Sequence, residues 1–275
     1  MTTTTDNGLR ILDGGQLRLL RSIDAAFLRL GQTWNAPEFR FPFLIRCQDL
    51  DTFDYFDNFP HLGLAATRLD PRRLGALLAD APRPLDRIPA EVMEPTALAL
   101  PSAACYAVYL DLAGSGLSAD GVTRTTLGTC FRNEDHYDGL QRLHGFSMRE
   151  IVFIGPEDGA KQHLLRAKDA VAALCAELGL DVRLEVATDP FFDKNSGKAK
   201  MQRLFPVKEE FVVNGLAIGS VNYHRNFFGE RCSIRAGDDT AHTSCLAFGL
   251  ERWVHTLTEH FGSTEAALSA MEALG

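Results

Sequence analysis

Residues 129–155 read TCFRNEDHYDGLQRLHGFSMREIVFIG, and this stretch decides the fold. Two apolar runs, 127–131 and 146–154, flank a loop of Asp, His, Tyr and Gly, the pattern of two strands joined by a polar connection. Arg132 and Glu134 have one residue between them and so point to the same sheet face. A guanidinium there forks onto a phosphate, and the carboxylate accepts from an amine or orients a second arginine. Phe146 offers a flat face to a purine. The same residues also describe an ordinary hairpin with a surface ion pair.

Outward from the hairpin, residues 16–30 carry apolar side chains at a helical period, with Gly31 placed as a C-terminal cap. Asn35, Ala36 and Pro37 lead to an apolar run at 41–45, and the aromatic, acidic segment 51–60 reads as a packed loop. Residues 71–79 predict a short helix beside Arg68, Arg72, Arg73 and Arg83, the most basic surface of the first half. Residues 98–109, LALPSAACYAVY, read as a strand carrying Cys105. Beyond the hairpin, 159–178 forms an amphipathic helix that makes Cys175 a core residue. Residues 182–187, 211–213 and 217–223 read as strands, 188–203 as a mobile polar stretch, and 247–261 as a helix with another from 264. Strands clustered after a helical start predict an α+β fold: one domain over 9–275, a mostly antiparallel sheet flanked by helices, after a disordered tail at 1–8.

The 275 residues are 45% hydrophobic, enough for a sizeable core, and the formal net charge of −8 argues against a general nucleic-acid binder. No apolar run is long enough to span a bilayer and the N-terminus carries no signal-peptide pattern. Cys47, Cys105, Cys130, Cys175, Cys232 and Cys245 are scattered without a CxxC pair, which indicates neither a disulfide scaffold nor a zinc ribbon and makes a reduced, cytoplasmic setting the expectation.

Phe131-Arg132-x-Glu134, then Gly139-Leu140-x-Arg142-x-His144-x-Phe146 and Glu150, resembles motif 2 of class II aminoacyl-tRNA synthetases, closest to the seryl branch. The resemblance implies that Arg132 holds the ATP α-phosphate and the substrate carboxylate. It implies too that Phe146 stacks on adenine and Glu134 lies by the exocyclic amine. Residues 247–252, AFGLER, resemble motif 3, which implies Arg252 against the γ-phosphate; glycine lets backbone approach a nucleotide, and arginine neutralises charge on leaving pyrophosphate. The early helix and the proline after it resemble the dimer-forming motif 1, which implies a homodimer.

Cys105, Glu150 and Cys245 all fall near residues assigned to the nucleotide pocket. Two thiolates and a carboxylate suit Zn²⁺ with a fourth position open, although each cysteine alone reads more readily as a buried apolar thiol. The set resembles that of the zinc-dependent seryl-tRNA synthetases of methanogens and the related bacterial amino acid:carrier protein ligases, as do DPFF at 189–192, NYH at 222–224, FFG at 227–229 and AHTSCLAFGLER at 241–252. The resemblance implies Zn²⁺ on the amino group of a small amino acid (glycine or alanine), ATP with Mg²⁺, and transfer to the phosphopantetheine thiol of a carrier protein. A seryl-type tRNA-charging enzyme is the alternative within the class, and a non-catalytic synthetase paralogue the alternative outside it. Against tRNA, nothing before residue 100 has the sustained heptads of a tRNA-gripping arm. Ser220 and Asn222 stand where an acid holding Mg²⁺ is expected, with Glu209 and Glu210 as substitutes. Cys130 shares a face with Arg132 and is a reserve ligand on geometry, structural by the resemblance. An acidic carrier would dock either on the arginines at 68, 72 and 73 or on Lys194, Lys198, Lys200 and Arg203, the second being favoured.

Overall fold

The computed structural model describes residues 7–204 and 206–274, the side chains of Lys198, Ala199 and Arg203 lying outside that description. Helix α1 (Gly14–Thr33) opens on a capping box between Asp13 and Gln16. The main sheet follows as β1 (Glu38–Phe39), β2 (Val122–Phe131) and β3 (Gly145–Gly155). After helix α2 (Glu157–Glu177) come β4 (Arg183–Ala187), β5 (Lys208–Val213), β6 (Leu216–Arg225) and β7 (His242–Gly249). Helices α3 (Leu250–Phe261) and α4 (Thr264–Ala273) end the chain. The seven strands are ordered β1-β2-β3-β7-β6-β5-β4, parallel only between β1 and β2. This is the expected α+β architecture.

Strand alternation divides the chemistry between the two faces. One face buries Ile151, Ile218, Leu246 and Phe248 against the helices, through Leu19, Ile23, Phe27, Val171 and Trp253. Phe27 stacks on Phe248 with ring centroids 3.7 Å apart. The other face packs Val152, Ile154 and Cys245 under Phe53, Val108, Tyr109 and Phe228, leaving the site beside them. Arg149, only 1% exposed, pairs with Asp24 of α1 at 2.8 Å and Glu38 of β1 at 2.7 Å, so it pins the first helix and edge strand to the sheet. No helix among the described residues is long and apolar enough to cross a membrane.

His163 on α2 is buried, with Nδ1 2.9 Å from Ser244 Oγ, and burial pushes its pKa down to about 3. Folded His163 therefore stays neutral where the unfolded chain protonates it. Stability from this group is present above about pH 6.5 and is lost at about 1.4 kcal/mol per unit as the pH falls toward 3. In urea titrations, His163→Gln should lose about 2 kcal/mol less than the parent between pH 7 and 5. Equal losses would refute the assignment.

Several expectations need correction. Gly31 lies inside α1, where a Cβ would meet Thr125 at an ordinary contact distance of 3.5 Å, and Asn35 takes the left-handed turn. The run 41–45 is strand only at its end, Ile45–Arg46. Residues 98–109 are strand only over Leu98–Leu100; Pro101 has no N–H to extend the ladder, and a helix runs over Tyr106–Asp111. Of the tail, residues 1–6 lie outside the described residues, but Gly8 is buried and its carbonyl accepts from His144 N at 3.1 Å. Within 188–203, Gln202 bonds both the backbone N and the carboxylate of Asp189, and Gly197–Leu204 is helical, so the stretch is tied down locally. The last long helix starts at Leu250 because Ala247 to Gly249 complete β7.

Candidate active site

Register lays the site out as rows across the sheet. Thr126, Glu150, Ala247, Ser220 and Glu210 stand opposite one another on β2, β3, β7, β6 and β5. The next row is Arg124, Val152, Cys245, Asn222 and Lys208. Glu150 and Cys245 are thus diagonal neighbours on adjacent strands, near enough for side chains to meet. Cys105 arrives from outside the sheet, on the turn that follows Pro101. Gly128 of β2 makes room for that turn, since a Cβ there would lie 2.8 Å from the Ala104 Cβ. The backbone N–H groups of Ala104 and Cys105 both donate to Glu150 Oε1, at 2.8 and 3.1 Å.

The ligand atoms of Cys105, Glu150 and Cys245 lie within 4.8 Å of one another, and all three residues are buried. Cys105 donates its proton to Cys245, which holds the Cys105 thiol well above its ordinary range and Cys245 well below. Burial, followed by the neighbouring Cys245, pushes Glu150 up to about 8. Its Oε2 is buried without a hydrogen-bond partner, although buried carboxylate oxygens are ordinarily satisfied. Ligands of Zn²⁺ sit roughly 2.0–2.3 Å from the ion, so these three are spaced to fit one, and the unpartnered oxygen would be free to bind it.

Two cavities flank this arrangement. The first is lined by Arg132, Glu134, Arg142, Phe146, Glu210 and Arg252 among others. The Arg252 Nε donates to the Gln141 carbonyl at 2.7 Å and its Nη1 to that of Ala217 at 2.9 Å. Burial, then the nearby Arg132 and Arg142, depresses the Arg252 pKa, so three guanidinium groups converge on one cavity. The Arg142 Nη1 lies 2.7 Å from Glu134. Arg132 donates twice to the Ser102 carbonyl and lies over the Phe146 ring at 5.0 Å. The second cavity holds Cys105, Glu150 and Cys245 in its wall. Arg132, Met148, Lys208, Ser220 and Ala247 line both cavities, so the arginine stands at their junction.

Residues 123–261 match the family described as tRNA synthetase class II core domain (G, H, P, S and T). The chain belongs to the class II tRNA synthetase core family. The amino acid–[acyl-carrier-protein] ligase 1 of Bradyrhizobium diazoefficiens is 32% identical over 245 residues, which are 84% of this chain and 73% of that protein. Within the class II core family the chain therefore falls with these ligases. The type-2 serine–tRNA ligase of Methanothermobacter thermautotrophicus is 25% identical over 86% of this chain and 50% of its own length. In fold, the chain is similar to M. kandleri SerRS in its crystal structure with A. aeolicus tRNASec: TM-score 0.80, 18% identity, covering 99% of this chain and 58% of that one.

Against the class II core family, the residues proposed from sequence divide cleanly. Arg132, Glu134, Phe146 and Arg252 meet in the first cavity, and Cys105, Glu150 and Cys245 in the second. Cys130 is buried four residues along β2 from Thr126, the partner of Glu150, roughly 13 Å at strand rise, and is outside the three-residue cluster. Of the two acids put forward for Mg²⁺, Glu210 lines the first cavity, whereas Glu209 pairs with Lys168 of α2 on the other face. An acid at Gly219 has no room, as a Cβ would meet the Ala247 carbonyl at 2.9 Å. The favoured docking set is only partly visible, Lys198 and Arg203 having side chains outside the described residues. Sequence reasoning missed the residues that dress Cys245: Asn222 donates to its Sγ at 3.3 Å, and His224 Nε2 lies 3.9 Å from it. The NYH segment was the available signal.

Proposed function

We propose that the protein activates a small amino acid with ATP as an aminoacyl adenylate and transfers it to the phosphopantetheine thiol of a carrier protein. The observation that carries this reading is the junction: an arginine-lined cavity and a buried Cys–Glu–Cys cluster sharing Arg132 as a common wall. The chain is a ligase, and each half of its reaction has residues suited to it.

In the first half, Arg132 holds the α-phosphate and the amino acid carboxylate together, so the carboxylate oxygen meets phosphorus in line. Arg252 and Arg142 neutralise the β- and γ-phosphates as pyrophosphate leaves. Phe146 supports the adenine on the ring face away from Arg132, and Glu134 accepts from its amine. Cys105, Glu150 and Cys245 would hold Zn²⁺, which when bound takes the neutral amino group of the substrate. Glu210 is the carboxylate placed to hold the Mg²⁺ of ATP. In the second half, the thiol sulfur attacks the adenylate carbonyl carbon; the C–S bond forms, the C–O bond to phosphate breaks, AMP leaves and the thiol proton passes to solvent. Helix α1 and the proline after it resemble the family's dimer-forming motif, and the working form is proposed to be a homodimer in the cytoplasm.

Pyrophosphate exchange with a panel of amino acids, followed by intact mass of a holo-carrier, tests both halves. Glycine or alanine should drive exchange, bulky amino acids should be poor, and the carrier should gain one aminoacyl group. Retention of Arg132, Arg252 and the whole ligand set speaks against a non-catalytic paralogue. Efficient charging of bulk tRNA with no loaded carrier would overturn the acceptor assignment.

A further inference from the structure

The cavity that reaches the Cys105–Glu150–Cys245 cluster has a volume of about 440 Å³, far beyond what glycine or alanine fills. Much of its remaining wall is aromatic, including Phe53, Phe59, Tyr106, Phe191 and Phe227. An acceptor arm must enter somewhere along that wall, and one feature marks the place. Strand β6 is bulged: Tyr223 stands opposite Ser244 and Arg225 opposite Thr243, so His224 is the extra residue. His224 turns toward Cys245, and Arg225 follows with φ of 54°, the left-handed region that arginine rarely adopts. Backbone held this way clusters at ligand clamps and active sites.

Arg225 both lines the cavity and is exposed, which puts it at the rim. The other cations here are engaged: Lys208 with Asp189 and Glu210, Arg132 with the Ser102 carbonyl. The Arg225 guanidinium has no hydrogen-bond or ion-pair partner among the described residues. It stands three residues beyond Asn222, the partner of Cys245, about 10 Å along the strand. An unpaired guanidinium at the open end, aromatic walls behind it and an acyl-transfer centre within describe a clamp for a phosphate-headed, thiol-tipped chain.

We propose that Arg225 binds the phosphate of the phosphopantetheine arm and so sets the depth to which its thiol reaches. This rests on the carrier-protein reading above. Exposed strand and loop residues near a pocket are often merely solvated, so the test isolates the phosphate. Wild-type protein with ATP and its preferred amino acid would be offered 4′-phosphopantetheine and pantetheine as small acceptors, beside the holo-carrier. Wild type should prefer the phosphorylated acceptor in kcat/KM by roughly ten- to a hundredfold, as a charge-assisted contact supplies. Arg225→Asn, a residue that tolerates the left-handed backbone, should bring that ratio near one, and Arg225→Lys should restore part of it; thermal unfolding checks that both fold. A wild-type ratio retained in Arg225→Asn overturns the inference. Wild type that exchanges pyrophosphate but loads no thiol acceptor overturns the acceptor reading, and this inference with it.

Discussion

Arg132→Ala should slow amino-acid-dependent pyrophosphate exchange by roughly a thousandfold while leaving the protein folded. Its guanidinium lines both cavities at their junction, where it is proposed to hold both reacting groups. A charge-assisted contact made to the reacting phosphate is worth about 3–4 kcal/mol in the transition state. The structural cost is small by comparison. The Arg132 side chain donates to the Ser102 carbonyl and rests on the Phe146 ring, and the backbone bond from its N–H to His144 is kept in the alanine variant. Arg132→Lys keeps the charge but loses the fork, so it should recover only part of the rate. Exchange near the wild-type rate in Arg132→Ala would mean that the hairpin does not hold the nucleotide.

Cys245→Ser and Cys105→Ser should each cut bound zinc from about one ion per chain to a tenth or less, measured by elemental analysis of protein purified without added metal. The proposal rests on Glu150, which is buried, raised to about 8 and has an oxygen without a partner among the described residues. Serine offers a harder and far less acidic ligand than a thiolate. Loading also requires Cys105 and Glu150 to lose their protons, so zinc affinity should rise with pH through the neutral range. Cobalt substitution supplies a readout independent of turnover, because thiolate-to-cobalt absorption should weaken in either variant. Full zinc retention in both would remove the assignment.

The hairpin was legible because its chemistry is local: Arg132, Glu134 and Phe146 sit at two strand ends joined by one loop. The Cys105–Glu150–Cys245 cluster was not legible in that sense. Its ligands come from a turn and two strands far apart in sequence, and only the register between β3 and β7 makes Glu150 and Cys245 diagonal neighbours. Resemblance to known synthetases supplied the set; spacing alone left each cysteine a plausible core thiol. Residues 98–109 misled because apolar composition hides why the strand must stop: after Pro101 the backbone turns its amides onto Glu150. The bulge at His224 left no glycine or proline to announce it, since NYHRNF reads as continuing alternation. Gly31 was mistaken for punctuation, whereas the left-handed residue that turns the chain after α1 is Asn35.

The shared wall between the two cavities makes the binding of their occupants a single thermodynamic problem. One guanidinium cannot be ordered twice, so whichever substrate arrives first bears the entropy of fixing Arg132 and the second finds it already placed. Before the nucleotide comes, Arg132, Arg142 and Arg252 repel one another, and an anion in the first cavity relieves that repulsion for any carboxylate that follows in the second. Each substrate should then tighten the other, and by the same factor in either direction, because linkage between two equilibrium sites is reciprocal. An enzyme of this construction discriminates against activating water or a stray acid by cooperativity: its two pockets are strong only together.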